Sequence, residues 1–444
     1  MGQADVLAAT IMQFARAPRK QVDPSGGNVR YLKDRIFRPE AHTSPAPVLC
    51  AAGAGSQDLV PPAACLANAS TSICSRFVYS TFNRERCAVN VVVWTPDGRR
   101  LVAGGNNGML TLYSGVNFIY ETAQQAHEAA MRCLVYSHSG EWLISADHEG
   151  IIKYWTTTLN PVKDLPDAHA GSPVRDLSFS PTDAKFVSCA DDATIKVWDF
   201  ERGTLERVLG ASTPEAAGKS HGWDVKAAQW HPSKGMIASG SKDNVVKLWD
   251  PRVRDEICEL HLHKNTVTCL KWHSSGNFFA TGSRDQLIKL FDVRTMREVA
   301  AFKGHKREVG AITYMHAHTH TCIHTCTHAY IHEVGAIAWH PTHAELFASA
   351  SHEGAIYYWS TLHPEGPVGS SLGARGHTAH EAAIGTLAWH PFGHLLCSGA
   401  NDNMVKFWSR NRPGDGRKRE RDEEEAYDDE VEMRMQALAN MAQG

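Results

Sequence analysis

The chain has 444 residues, 43% of them hydrophobic and 21% charged, with a formal net charge of −3. These are ordinary globular values, and they exclude a uniformly basic nucleic-acid binder: any contact with phosphate has to come from a local patch. No run approaches the roughly 18 consecutive apolar residues that cross a bilayer. The eleven cysteines follow no regular spacing, which fits a reducing compartment, cytosol or nucleus, rather than a disulfide scaffold.

In chain order, residues 1–38 read as a basic N-terminal arm. Its apolar start, Met1 to Gln13, has no cationic residue ahead of it, which argues against a signal peptide. From Phe14 to Arg38 the arm sets Arg16, Arg19, Lys20, Arg30, Lys33, Arg35 and Arg38 against Asp23 and Asp34, a local charge of +5. That composition suits a segment that tracks phosphates, and equally a solvated basic tail. Residues 39–86 read as a linker rich in Ala, Pro, Ser and Gly. Near its end, Arg76 to Phe82 (RFVYSTF) alternates like a strand and is placed to close a ring by completing the last blade.

From Cys87 to Arg410 one unit recurs seven times: a histidine, an apolar strand, a turn, a second strand, a polar tight turn, then a strand ending in an aromatic. The closing aromatics are Tyr113, Trp155, Trp198, Trp249, Phe291, Trp359 and Trp408. The opening histidines of units two to seven are His127, His169, His221, His263, His305 and His380. Four short strands per unit, about 40–45 residues and a WD-type ending form the WD-repeat signature. The expected fold is therefore all-β, a seven-bladed WD-repeat β-propeller over 87–410.

The closing aromatics are 42, 43, 51, 42, 68 and 49 residues apart. The long interval contains a duplicated pentapeptide, at Glu308–Ile312 and Glu333–Ile337, offset by 25, and removing 25 restores 43. Between the copies, 313–332 is a low-complexity His-rich insert in blade six. His316, His318, His320, Cys322, His324, Cys326, His328 and His332 have metal-ligand chemistry. All six recurrent residue types are also encoded by a CA/TG-rich repeat, and the clean register on both sides favours translated non-coding sequence over a metal site.

Six positions before each closing aromatic stands a polar residue: Asn107, Glu149, Asp192, Asp243, Asp285, Glu353 and Asp402. An acid there accepts a hydrogen bond from the opening histidine, because a buried imidazole without a partner costs about 1–3 kcal/mol. His–Asp pairs also occur in acid–base catalysis, but six repeating in register read as scaffold. No G-x-S-x-G elbow, phosphate loop or H-E-x-x-H is present, so no enzyme, cofactor or metal is expected. After Arg410, residues 411–444 form a charged tail in which a mixed run, GRKRERDEEE, precedes a short helical stretch over 423–439.

Several stretches are more specific than the repeat. RKQVDPSGGNVRYLKDRIF (19–37), DLVPP (58–62), NVVVWTPDGRRLVAGGNNGMLTLYSG (90–115), SADHEGIIKYW (145–155), HKNTV (263–267) and AWHPFGHLLCSGANDNMVKFWSRNRPGD (388–415) occur in this order. Together they resemble the WD-repeat subunit of the nuclear cleavage and polyadenylation specificity factor, from about Arg19 to Asp415 apart from the insert. The resemblance implies a nuclear, non-enzymatic scaffold and RNA-contacting subunit that helps recognise the AAUAAA polyadenylation signal of pre-mRNA. It implies two protein partners, a large multi-propeller scaffold subunit and a small zinc-finger subunit that owns the zinc. It also implies a basic arm and a propeller rim whose aromatics stack on bases. Residue by residue, the rim aromatic matches Tyr120, a neighbouring aliphatic position matches Ala123, and Arg19 and Lys20 match in the arm. The family's longer upstream run is shortened here to Phe14-Ala15-Arg16-Ala17-Pro18, which leaves Phe14 and Arg16 as candidates.

A second class of function competes. Trp249-Asp250-Pro251-Arg252 and Phe291-Asp292-Val293-Arg294 fit the W-D-x-R pattern of substrate receptors for cullin-type ubiquitin ligases, the second with Phe for Trp. Four residues are a weak signal, and they explain neither the arm nor the NRPGD ending.

Overall fold

A computed structural model describes residues 72–410 apart from 84–85, 210–219, 254, 306–333, 342 and 372–377. The described residues form twenty-eight strands, from β1 (Arg76–Phe82) to β28 (Met404–Ser409), in seven four-stranded antiparallel sheets. The chain is the seven-bladed propeller that its repeats predict. Six sheets are built from consecutive strands, whereas the seventh has the order β1-β28-β27-β26, with β27 covering Leu395–Ala400 and β26 Ile384–Trp389. RFVYSTF supplies the outer strand of this sheet, pairing Arg76 with Ser409 and Phe82 with Met404. The His-rich insert 313–332, the arm and the tail lie outside the described residues.

The strand sequences follow from position within the blade. A second strand such as LLCSGA of β27 is buried at every residue, because neighbouring blades cover both of its faces. A fourth strand such as β9 (Pro161–Leu165) is exposed at four of five residues and tolerates polar side chains. The apolar core is correspondingly divided. Each hydrophobic cluster is shared by two adjacent blades, as where Phe407 and Val405 of blade seven meet Trp94, Tyr113 and Phe118 of blade one. The molecule is therefore held together at its blade junctions.

Four of those junctions carry an added bond. The residue after the first-strand aromatic is His231, His273, His340 and His390 in blades four to seven. Each Nε2–H donates to a carbonyl of the following blade: Gly276, Ala344 and Gly393, then Gly98 across the ring closure, all at 2.9 Å. Each imidazole also lies 4.6–4.8 Å from the indole of that next blade, Trp272, Trp339, Trp389 or Trp94. The indole N–H in turn donates back to the earlier blade, as from Trp94 to Ala388 O at 3.2 Å. Gly98 has no freedom to be anything larger: its φ is +69°, and a Cβ there would stand 2.6 Å from the His390 ring.

Candidate nucleic-acid interface

Tyr120 opens β5 (Tyr120–Gln125), the outer strand of blade one, which pairs with β4 (Met109–Ser114). The register shifts between Leu112 and Tyr113, so that Tyr113 faces Tyr120 while Leu112 faces Thr122 and Thr111 faces Ala123. Glu121 is thus the extra residue of a bulge. Three positions apart on a regular strand, Tyr120 and Ala123 would point to opposite faces; the bulge returns both to one face, that of Tyr113 and Thr111. Tyr120 is half-buried, with its ring edge-on to Tyr113 at 6.5 Å. Although it sits at the rim, this ring also packs against the junction between blades seven and one.

Around it lie residues that the sequence did not single out. Val116 and Ile119, in the turn before β5, are more than half exposed. Arg99 is largely exposed beside Asp97, and Arg100 pairs with Glu121 at 2.7 Å. Gly115 N donates to Arg99 O, which fixes this arginine pair against the Val116–Ile119 turn. The signal in the sequence is the doubled Arg of DGRR (97–100), which the blade brings beside NFIY (117–120). An aromatic, two aliphatics and two cations on one edge can stack on bases and contact phosphates. Phe14, Arg16, Arg19 and Lys20 lie outside the described residues.

The opening histidines are scaffold in geometry. His169, His221, His263 and His380 donate from Nδ1 to Asp192, Asp243, Asp285 and Asp402 at 2.7–2.9 Å. In four of the six histidine-opened blades the chain from acid to indole is complete, three of them through the predicted acid: Ser188 Oγ, for example, lies 2.7 Å from His169 Nε2 and accepts from Trp198 Nε1 at 2.9 Å. Ser145, Ser239 and Ser398 do the same for Trp155, Trp249 and Trp408. This serine, ten residues before the tryptophan, escapes a reading of the sequence although its spacing is constant. Blade five substitutes Thr281, 2.8 Å from His263 Nε2, and closes on Phe291, which has no indole N–H to donate.

Two blades depart from the expected pairing. In blade two, His127 bonds Asp147 at 3.0 Å rather than Glu149, because Asp147 is fully buried on the strand and also accepts the backbone N–H groups of Glu149 and Ile151. In blade six, His305 Nε2 meets Ser349 Oγ at 2.8 Å, but its Nδ1 finds no partner among the described residues. Burial pushes the His305 imidazole down to about 4. Burial likewise raises the carboxyls of Asp192, Asp243, Asp285 and Asp402, but the histidine hydrogen bonds outweigh it and hold each below the usual carboxylate range. With side chains of His127, His169, His221, His263 and His380 wholly buried, no substrate reaches them.

The two arginines of the ligase-receptor pattern lie in different settings. Arg252 is exposed, with its backbone N–H on Asp250 at 2.9 Å. Arg294 folds back onto Asp292 and over the Phe278 ring at 5.8 Å.

Comparison with known proteins assigns the chain to a family. The WD domain, G-beta repeat profile matches residues 77–114, 120–156 and 373–409, and a profile described as nucleolar protein 10-like, N-terminal domain, matches 174–334. Polyadenylation factor subunit 2 of Neurospora crassa is 42% identical over 368 residues, covering 81% of this chain and 52% of that protein. The Gibberella zeae protein of the same name is 37% identical, over 81% of this chain and 56% of its own length. The Eremothecium gossypii protein is 35% identical, over 86% of this chain and 78% of its own length. The chain belongs to the polyadenylation factor subunit 2 family. It spans about half the length of the first two of these relatives.

Proposed function

We propose that this member of the polyadenylation factor subunit 2 family works in the nucleus, in pre-mRNA 3′-end processing, as a non-enzymatic scaffold that also touches RNA. Its arm, through Phe14, Arg16, Arg19 and Lys20, and its blade-one rim, through Tyr120 and Ala123, help hold the AAUAAA signal. The partners are a large multi-propeller scaffold subunit and a zinc-finger subunit. The observation that carries the reading is the 42% identity with a polyadenylation factor subunit across 81% of the chain. The bulge that turns Tyr120 and Ala123 to one face, with Arg99 and Arg100 nearby, supports the rim as the base-stacking side. No feature of comparable weight favours the ligase-receptor reading.

The test is binding of an AAUAAA RNA to the reconstituted module. Arg19→Glu with Lys20→Glu weakens binding and flattens the salt dependence, by about 0.7 in log–log slope for each phosphate of a single strand that the variant no longer neutralises. Tyr120→Leu, which keeps apolar volume at the blade junction but removes the stacking face, costs about 1–3 kcal/mol of binding. Unchanged affinity and slope in both variants would overturn the proposal.

A further inference from the structure

The first strands of the seven blades line a central channel with a cavity of about 420 Å³. Its wall is lopsided. At the second position of the first strand, blades two, three and four carry Arg132, Arg175 and Lys226, while blades six and seven carry Gly335 and Gly385. One side of the mouth is thus cationic, and at the same level the facing side carries glycines.

The cations are unequally compensated. Arg175 grips Asp191 through Nε at 2.9 Å and through a second guanidinium nitrogen. Lys226 reaches the same Asp191 at 2.8 Å and Asp224 at 3.0 Å. Asp191 serves Arg175 and Lys226, Asp224 serves Lys226 and also Lys242 at 3.8 Å, and Arg132 is the cation left over. Among the described residues no carboxylate pairs with it, and its Nε is shut off from solvent without a hydrogen bond. Burial, followed by the positive charge of Arg175, disfavours its protonated form. An unpaired, partly buried guanidinium destabilises the fold unless an anion completes it.

We propose that the channel mouth is a binding site for a phosphate-type oxyanion, held by Arg132 together with Arg175 and Lys226. A planar guanidinium fork complements two oxygens of such a group, and a tetrahedral anion has further oxygens for the flanking cations. A phosphate-type anion carries more negative charge and more acceptor oxygens than a carboxylate, which suits a cluster of three cations better. The cavity of about 420 Å³ takes in whatever carries the phosphate, either a free anion or the terminal phosphate of a nucleotide. This site is separate from the blade-one rim and stands or falls independently of it.

The experiment is thermal unfolding of the full chain with millimolar pyrophosphate, with adenosine monophosphate, and with sodium chloride at matched ionic strength. The wild-type midpoint rises by about 2 °C or more with a phosphate ligand relative to chloride. A rise with pyrophosphate alone assigns the free anion, and a rise with the nucleotide as well assigns a terminal phosphate. Arg132→Gln loses the rise, yet in chloride it melts no lower than wild type, because the uncompensated charge is gone. Arg132→Lys retains part of the rise. No wild-type response to either ligand overturns the proposal. So does a full response in Arg132→Gln, which would place the anion on the basic N-terminal segment instead.

Discussion

Blades four to seven each fasten to the next blade through a buried histidine set against an indole, and blades one to three do not. Trp230 shows what the difference does. Like Trp272, Trp339, Trp389 and Trp94, it ends the first strand of its blade, but the preceding blade offers Ser180 where the others offer His231, His273, His340 or His390. The four latched indoles donate to a carbonyl across the junction at 3.1–3.2 Å. The Trp230 indole N–H is buried and has no acceptor among the described residues. At the junction of blades two and three a different device appears: the exposed His138 and the backbone of Ser139 converge on Asp183. The same repeat thus builds two kinds of seam, one dry and aromatic, the other polar and open to water, so its screened contacts contribute less.

The strongest way to break the contrast is His390→Ala, at the seam that closes the ring. It strips Gly98 O of its donor and Trp94 of its ring contact and leaves a cavity, costing about 3 kcal/mol. Thermal or urea unfolding measures this, and a loss below about 1 kcal/mol would mean the latch adds little. Acidification attacks all four latches together. Burial holds His340 down to about 3 and His390 to about 4, and also lowers His231 and His273. Between the ordinary histidine value near 6.5 and these lower values, the unfolded chain binds protons that the folded chain refuses. Stability therefore falls as pH drops through that window, by about 1.4 kcal/mol per pH unit for each such histidine. Unfolding midpoints at pH 7.5 and 5.0 should show this loss, with a shallower slope in His390→Ala; identical slopes would contradict it. The smallest effect is expected from Ser180→His, which sets an imidazole against Trp230. A gain of about 1 kcal/mol with slower exchange of the Trp230 indole proton would extend the latch to a fifth junction. A loss of stability would show that the polar seam cannot accept it.

How legible these features are depends on how often they recur. The blade count, the opening histidines and the ring-closing strand can be read because repetition compares each unit with six others. The serine of each His–Trp chain is equally periodic, but serine is common and its spacing draws no notice. Asp147 displaces Glu149 because a shorter acid buried on the strand collects two backbone donors as well as the imidazole, a preference that no repeat register displays. The blade-one rim is harder still. That Tyr120 and Ala123 share a face depends on a bulge at Glu121, and a strict alternation of faces would have separated them. The uncompensated charge of Arg132 is visible only once three blades bring their cations to one mouth.

Because Arg76 lies opposite Ser409 in one sheet, the segments that precede and follow the ring depart from the same corner of the molecule. Anything captured by one of them is held at high local concentration for the other, with the ring acting as a short rigid tether between two hands. The same pairing imposes a delay during synthesis. The first strand leaves the ribosome more than 320 residues before its partner, which at about 5–20 residues per second is on the order of tens of seconds. Until then an unpaired edge waits, and a chaperone or an assembly partner has reason to cover it.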